Sequence, residues 1–127
     1  MAEVSWISFT HANPDTEYLA LVSYLPRKGF LSIFGFLSET RAIQEQLESS
    51  EGLIGYSLRT QLIGKDAWTV SVWRDEEALV SFVRKSPHID TMRNLKPRMG
   101  RTKFVRWKIT GSEVPPKWDD ALRRLET

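Results

Sequence analysis

The sequence predicts a single α+β domain, and three observations carry that prediction. Apolar residues alternate with a period of two at Ile54, Tyr56, Leu58, Thr60 and Leu62 and again at Trp68, Val70 and Val72, the spacing of β-strands. Ile33–Ser49 and the stretch after Asp75 carry apolar residues at helical spacing instead. A length of 127 residues, 41% hydrophobic and 27% charged, suits one folded domain and not a disordered chain.

Taken in order, residues 1–17 contain Asn13-Pro14 and little periodicity, which predicts an irregular N-terminal arm that packs through Trp6 and Phe9. Tyr18–Tyr24 is a short aromatic and aliphatic run closed by Pro26 and Gly29, the pattern of a buried strand. Ile33, Phe34, Leu37, Ile43 and Leu47 then mark one side of an amphipathic helix that Gly52 stops. Two strands follow, joined as a hairpin through Gly64-Lys65-Asp66, with Trp68, Val70 and Val72 on one face of the second and Ala67, Thr69, Ser71 and Trp73 on the other. Asp75 is placed to cap a helix whose first turn holds Glu76 and Glu77, where the helix dipole favours acids. Ser86-Pro87 restarts a short helix carrying His88, Ile89, Met92 and Arg93. Thr102–Thr110 alternates as a last strand, and Trp118, Leu122 and Leu125 form an apolar stripe suited to docking on the body or on a second subunit.

Strand, helix, strand, strand, helix, strand is the βαββαβ order of a ferredoxin-like fold with a four-stranded antiparallel sheet. The expected organisation is an N-terminal arm at 1–17, this domain at 18–110 and a helical C-terminal tail at 111–127. Apolar residues occupy both sides of several strands, so the face away from the helices needs cover. A homodimer packing sheet against sheet is the expected cover.

Composition removes several function classes. There is no cysteine, hence no disulfide, thiolate metal site or cysteine nucleophile. Two histidines far apart in sequence and no acid cluster at ligand spacing predict no metal site. A net charge of +2 and the lack of an aromatic RNA-binding motif argue against nucleic acid, although basic residues crowd between Arg84 and Lys108. No apolar run reaches the roughly twenty residues that span a bilayer, and the N-terminus lacks the pattern of a signal peptide, so no membrane partner and a cytoplasmic location are expected.

Ser71, Trp73, Asp75–Glu77, Phe82 and His88 lie in the segment SVWRDEEALVSFVRKSPHIDTMR. This segment resembles the signature of the dimeric α+β barrel superfamily, in particular its antibiotic-biosynthesis-monooxygenase-like and spheroidene-monooxygenase-like branches and the DUF3291-like proteins. The resemblance implies a monooxygenase acting on a hydrophobic aromatic or polyene-like substrate, with no cofactor. The alternative it leaves open is a non-catalytic protein that binds haem or another small hydrophobic anion. His88 is then the candidate base or ligand, at the start of a proline-initiated helix. Ser71 and Trp73 share a strand face and are expected to present a hydroxyl and an indole N–H to a planar substrate. Tyr56, Arg59, Phe82, Arg93 and Arg106 complete the expected substrate-binding set, the arginines for an anionic end.

Overall fold

The computed structural model describes residues 2–26, 41, 44–60, 66–85 and 102–126. Five strands form one fully antiparallel sheet: β1 (Ala2–Ser8), β2 (Glu17–Pro26), β3 (Leu53–Thr60), β4 (Asp66–Trp73) and β5 (Lys103–Thr110), in the order β1-β3-β4-β2-β5. Helix α1 (Glu76–Arg84) follows β4, and α2 (Trp118–Leu125) follows β5. Residues 44–48 are also helical. The order β3-β4-β2-β5 puts the first and third strands of the βαββαβ unit at its centre, as expected, but the sheet has five strands and not four.

The additional strand is β1, within the segment expected to be an irregular arm. Its alternation is hidden in the sequence because its register against β3 shifts between Val4 and Ile7. A bulge of this kind breaks the period of two on which strand recognition depends. Gly55 makes the close approach possible. A Cβ there would collide with the indole of Trp6 and stand 2.7 Å from the Ile7 carbonyl oxygen.

β2 and β4 lie at the centre of the sheet and are apolar on both faces. Leu19 and Leu21 share one face with Ser71 and Trp73 through the pairs Leu19↔Trp73 and Leu21↔Ser71. There Leu53, Tyr56, Trp73, Ala78, Leu79 and Phe82 form a buried cluster with Leu47 packed against it, so this is the helix side. Helix α1 begins as expected: the Asp75 carboxylate accepts a 2.8 Å hydrogen bond from the Ala78 amide, and Glu76 and Glu77 occupy the first turn. Gln46 donates through its side chain to the Phe82 carbonyl at 3.0 Å, tying the helical residues 44–48 to the end of α1. Gly52 has φ +86 and closes the connection into β3, a conformation that suits glycine.

The opposite face carries Ala20, Val22, Val70 and Val72, all at most 1% exposed. Its cover comes from the chain's own ends. Ala121, Trp118 and Leu125 of α2 pack on Val22 and Val70, while Trp6, Ala12 and Val114 close over Ala20, Ile54, Val72 and Ile109. Arg124 lies over the Trp107 ring at 4.6 Å and Lys103 donates to the Leu125 carbonyl, which fixes the far end of α2. The apolar face that led to the expectation of a second subunit is thus covered within one chain. The apolar stripe of the tail docks on the body.

Replacing Gly55 by alanine is expected to cost about 1–3 kcal/mol, the usual penalty for forcing an atom into a packed site. Urea unfolding of Gly55→Ala beside the parent protein measures this. Unchanged stability would mean that β1 can move off β3 at no cost.

Candidate functional site

A row of residues crosses the helix side of the sheet. Register pairs run Ile7↔Tyr56, Tyr56↔Ser71, Ser71↔Leu21 and Leu21↔Arg106, through β1, β3, β4, β2 and β5. Trp73 lies one step along β4 from Ser71 on the same face, because side chains two apart in a strand point together. Its indole N–H donates to the Ser71 oxygen at 2.9 Å, a bond buried from solvent. The two groups expected to face a substrate therefore engage each other. The indole takes one lone pair of the serine oxygen and holds that oxygen in place, and among the described residues the hydroxyl proton has no acceptor.

Tyr56 is the register partner of Ser71, and Phe82 packs on Trp73. The Phe82 ring meets Trp73 at 5.1 Å between centroids with a 33° tilt, so it serves as packing for the indole. Tyr56 stacks against Phe9 at 5.9 Å. Burial holds its phenol above the ordinary value of 10.0; the Gln44 amide in hydrogen-bond contact pulls it down and the Glu48 carboxylate pushes it up. The phenol is accordingly a neutral hydrogen-bond donor at physiological pH. Arg106 ends the row at the sheet edge, where it pairs with Glu76 of α1 at 2.6 Å, both side chains substantially exposed.

Arg59 lies elsewhere. It lies three positions after Tyr56, an odd offset, so it projects from the other face of β3, with its guanidinium 4.8 Å from the ring centre of Trp118. His88 and Arg93 lie outside the described residues. Of the expected set, Ser71, Trp73, Tyr56 and Phe82 are thus gathered in one place, Arg106 borders it, and Arg59 belongs to the opposite side. The register of β3 against β4 was the missing information. The glutamine at 44 was also missed, since nothing in an amphipathic helix marks which polar residue turns toward a buried phenol.

This arrangement of sheet and helices is shared with several solved structures. The chain is similar to a conserved protein from Methanosarcina mazei Go1, with a TM-score of 0.61 and 16% identity over 71% of this chain and 91% of that one. It is similar also to SnoaB, a cofactor-independent oxygenase from Streptomyces nogalater, with a TM-score of 0.58 and 13% identity over 80% of this chain and 100% of that one. An antibiotic biosynthesis monooxygenase gives a TM-score of 0.63 at 14% identity, covering 70% of this chain and 95% of the other. Likeness at these identities establishes the fold alone. The chain belongs to the family described as a domain of unknown function, DUF3291, whose model matches residues 32–127. The resemblance carried by Ser71–Arg93 is borne out at that level. No curated protein matches the sequence. Among the described residues no helix is long and apolar enough to cross a membrane.

Two outcomes follow from the geometry. Ser71→Ala leaves a buried indole N–H without its acceptor and is expected to cost about 1–3 kcal/mol, while Ser71→Ala combined with Trp73→Phe removes both halves of the bond and costs less than the sum of the single changes. Denaturant unfolding of the four proteins in the cycle measures the coupling. Additive losses would mean that the bond contributes nothing.

Tyr56 gives the second. A phenol whose pKa is raised in the folded state contributes stability that is fully present below pH 10.0 and is lost as pH rises through the folded value. Stability should therefore fall less steeply above pH 10.0 in Tyr56→Phe than in the parent. Equal slopes in alkaline urea titrations would contradict a buried neutral phenol.

Proposed function

We propose that this protein is a cofactor-independent monooxygenase acting on a hydrophobic aromatic or polyene-like substrate that carries an acidic C–H or phenolic group. The observation that carries the reading is the Ser71 hydroxyl, its oxygen held by the Trp73 N–H, adjacent in register to the neutral Tyr56 phenol on a largely apolar face. Two neutral donors in an apolar setting stabilise a developing oxyanion better than they do in water, because no solvent dipoles compete and none must reorganise. Fold similarity to SnoaB, a cofactor-independent oxygenase, supports the same reaction class.

In this reading His88 removes a proton from an activated methylene of the substrate. Ser71 and Tyr56 hold the negative charge as it spreads onto the substrate oxygen. The carbanion reduces dioxygen. One oxygen atom becomes the new carbonyl and the other leaves as water with the two methylene hydrogens, so the substrate supplies all the electrons and no external reductant is needed. Trp73 acts by positioning Ser71 and not by touching the substrate. Arg106, at the end of the row, attracts an anionic substituent of the substrate, and Arg93 is assigned the same role. The homodimer expected from the sequence rests here on the family resemblance alone, since the face argued to need a partner is covered by the chain's own ends.

The test is oxygen consumption with a panel of hydroxylated polycyclic aromatics that contain a benzylic methylene. At least one is expected to be oxidised to the ketone with one dioxygen consumed. His88→Ala should lower the rate by about a hundredfold or more, the usual contribution of a general base. Ser71→Ala should lower it by about tenfold or more through the lost oxyanion contact. No turnover across the panel, or turnover that both variants leave intact, would refute the assignment. A haemin Soret shift that vanishes in His88→Ala, without turnover, would establish the ligand-binding alternative in its place.

A further inference from the structure

A cleft opens on the side of the sheet away from the helix layer of α1, between the β1–β3 edge and the start of α2. It has a volume of about 450 Å³, within the range of small-molecule sites. Trp6 and Trp118 line it, with Ser57 beneath and Arg59, Lys117 and Asp119 beside them. None of its lining residues belongs to the row that ends at Arg106, so nothing about it depends on the proposed oxygenase chemistry.

Both aromatic walls are fixed in place. The Trp118 N–H donates to the Ser57 oxygen at 3.2 Å, and Ser57 is only 4% exposed. The Arg59 guanidinium lies over the Trp118 ring at 4.8 Å. Trp6 sits on the bare backbone of Gly55, where any side chain would meet its indole. It also packs into the apolar clusters below. The bulge in β1 and the glycine in β3 together hold an indole at the mouth of an open cleft.

We propose that this cleft is a binding site for a small planar aromatic carboxylate. Two indoles favour a flat π-system, which stacks on such rings with little loss of conformational freedom. A guanidinium stacked on an aromatic face keeps its N–H donors in the plane of the stack, at the height where the carboxylate of a stacked ligand lies, and its fork matches the two carboxylate oxygens. Lys117 adds a second positive charge. Asp119 opposes it from the exposed helix start, leaving the lining with one net positive charge. A volume of about 450 Å³ accommodates a ligand of one or two fused rings.

The experiment is a titration of the full chain with 2-naphthoate and, separately, with the uncharged 2-naphthamide, followed through the indole N–H signals in proton–nitrogen correlation spectra. Single Trp→Phe variants assign those signals. Naphthoate is expected to shift the Trp6 and Trp118 signals saturably and to leave Trp73 unmoved. Naphthamide should bind at least about tenfold more weakly, as should Arg59→Gln, because each removes a charge-assisted contact. Lys117→Gln, at an exposed position, should weaken naphthoate by a smaller factor without affecting folding. An unchanged Trp73 signal verifies that each variant retains the core. The proposal is overturned by the absence of a saturable shift up to about 10 mM naphthoate, by equal affinity for acid and amide, by an Arg59→Gln variant that binds as the parent does, or by shifts centred on Trp73.

Discussion

β2 and β4 have no polar side. Ala20, Val22, Val70 and Val72 face one way while Leu19, Leu21, Ser71 and Trp73 face the other, so a sheet built around these strands must be covered twice. The helix layer of 44–48 and α1 supplies one cover. The other comes from the extreme N- and C-terminal segments, which would otherwise have little reason to order. Both candidate sites arise at the margins of these covers. One lies under the helix layer where polar atoms interrupt an apolar face, and the other lies where β1 and α2 approach without closing.

Much of the fold was legible because the same physics that buries an element also writes its period into the sequence. β2 to β5 and α1 come where the alternation and the cap at Asp75 predict them. β1 did not announce itself, since a bulge disturbs its period and its partner strand lies some fifty residues downstream. The covering role of α2 was legible only as a choice between two targets. An apolar stripe states that something must be covered, and its sequence does not say whether the surface belongs to the same chain.

The site was legible in composition and less so in geometry. Sharing of a face by Ser71 and Trp73 follows from strand parity alone. Their mutual hydrogen bond does not, because it depends on the rotamer that Phe82 and Leu79 leave to the indole. Tyr56 beside Ser71 depends on the register between β3 and β4, which shifts near Gly55 and is not written in either strand's own pattern. Arg59 was grouped with Tyr56 for its charge, and parity separates them. The cleft at Trp6 and Trp118 joins residues from opposite ends of the chain, a proximity that no local pattern encodes.

The shared use of β3 has a consequence for how this sequence can change. Tyr56 and Ser57 are neighbours on the chain, yet each is the floor of a different surface, and Leu58 and Arg59 repeat the division. A slip of one residue in the register of β3 would exchange the two faces over its whole length. It would drive the guanidinium of Arg59 under the helices and lift the Tyr56 phenol out among the tryptophans, so neither surface could be kept. Single substitutions can tune either side of the strand independently, whereas its length is locked by both at once. Variation in length should therefore be absorbed outside β3, and drift in side-chain chemistry within it should follow two separate clocks.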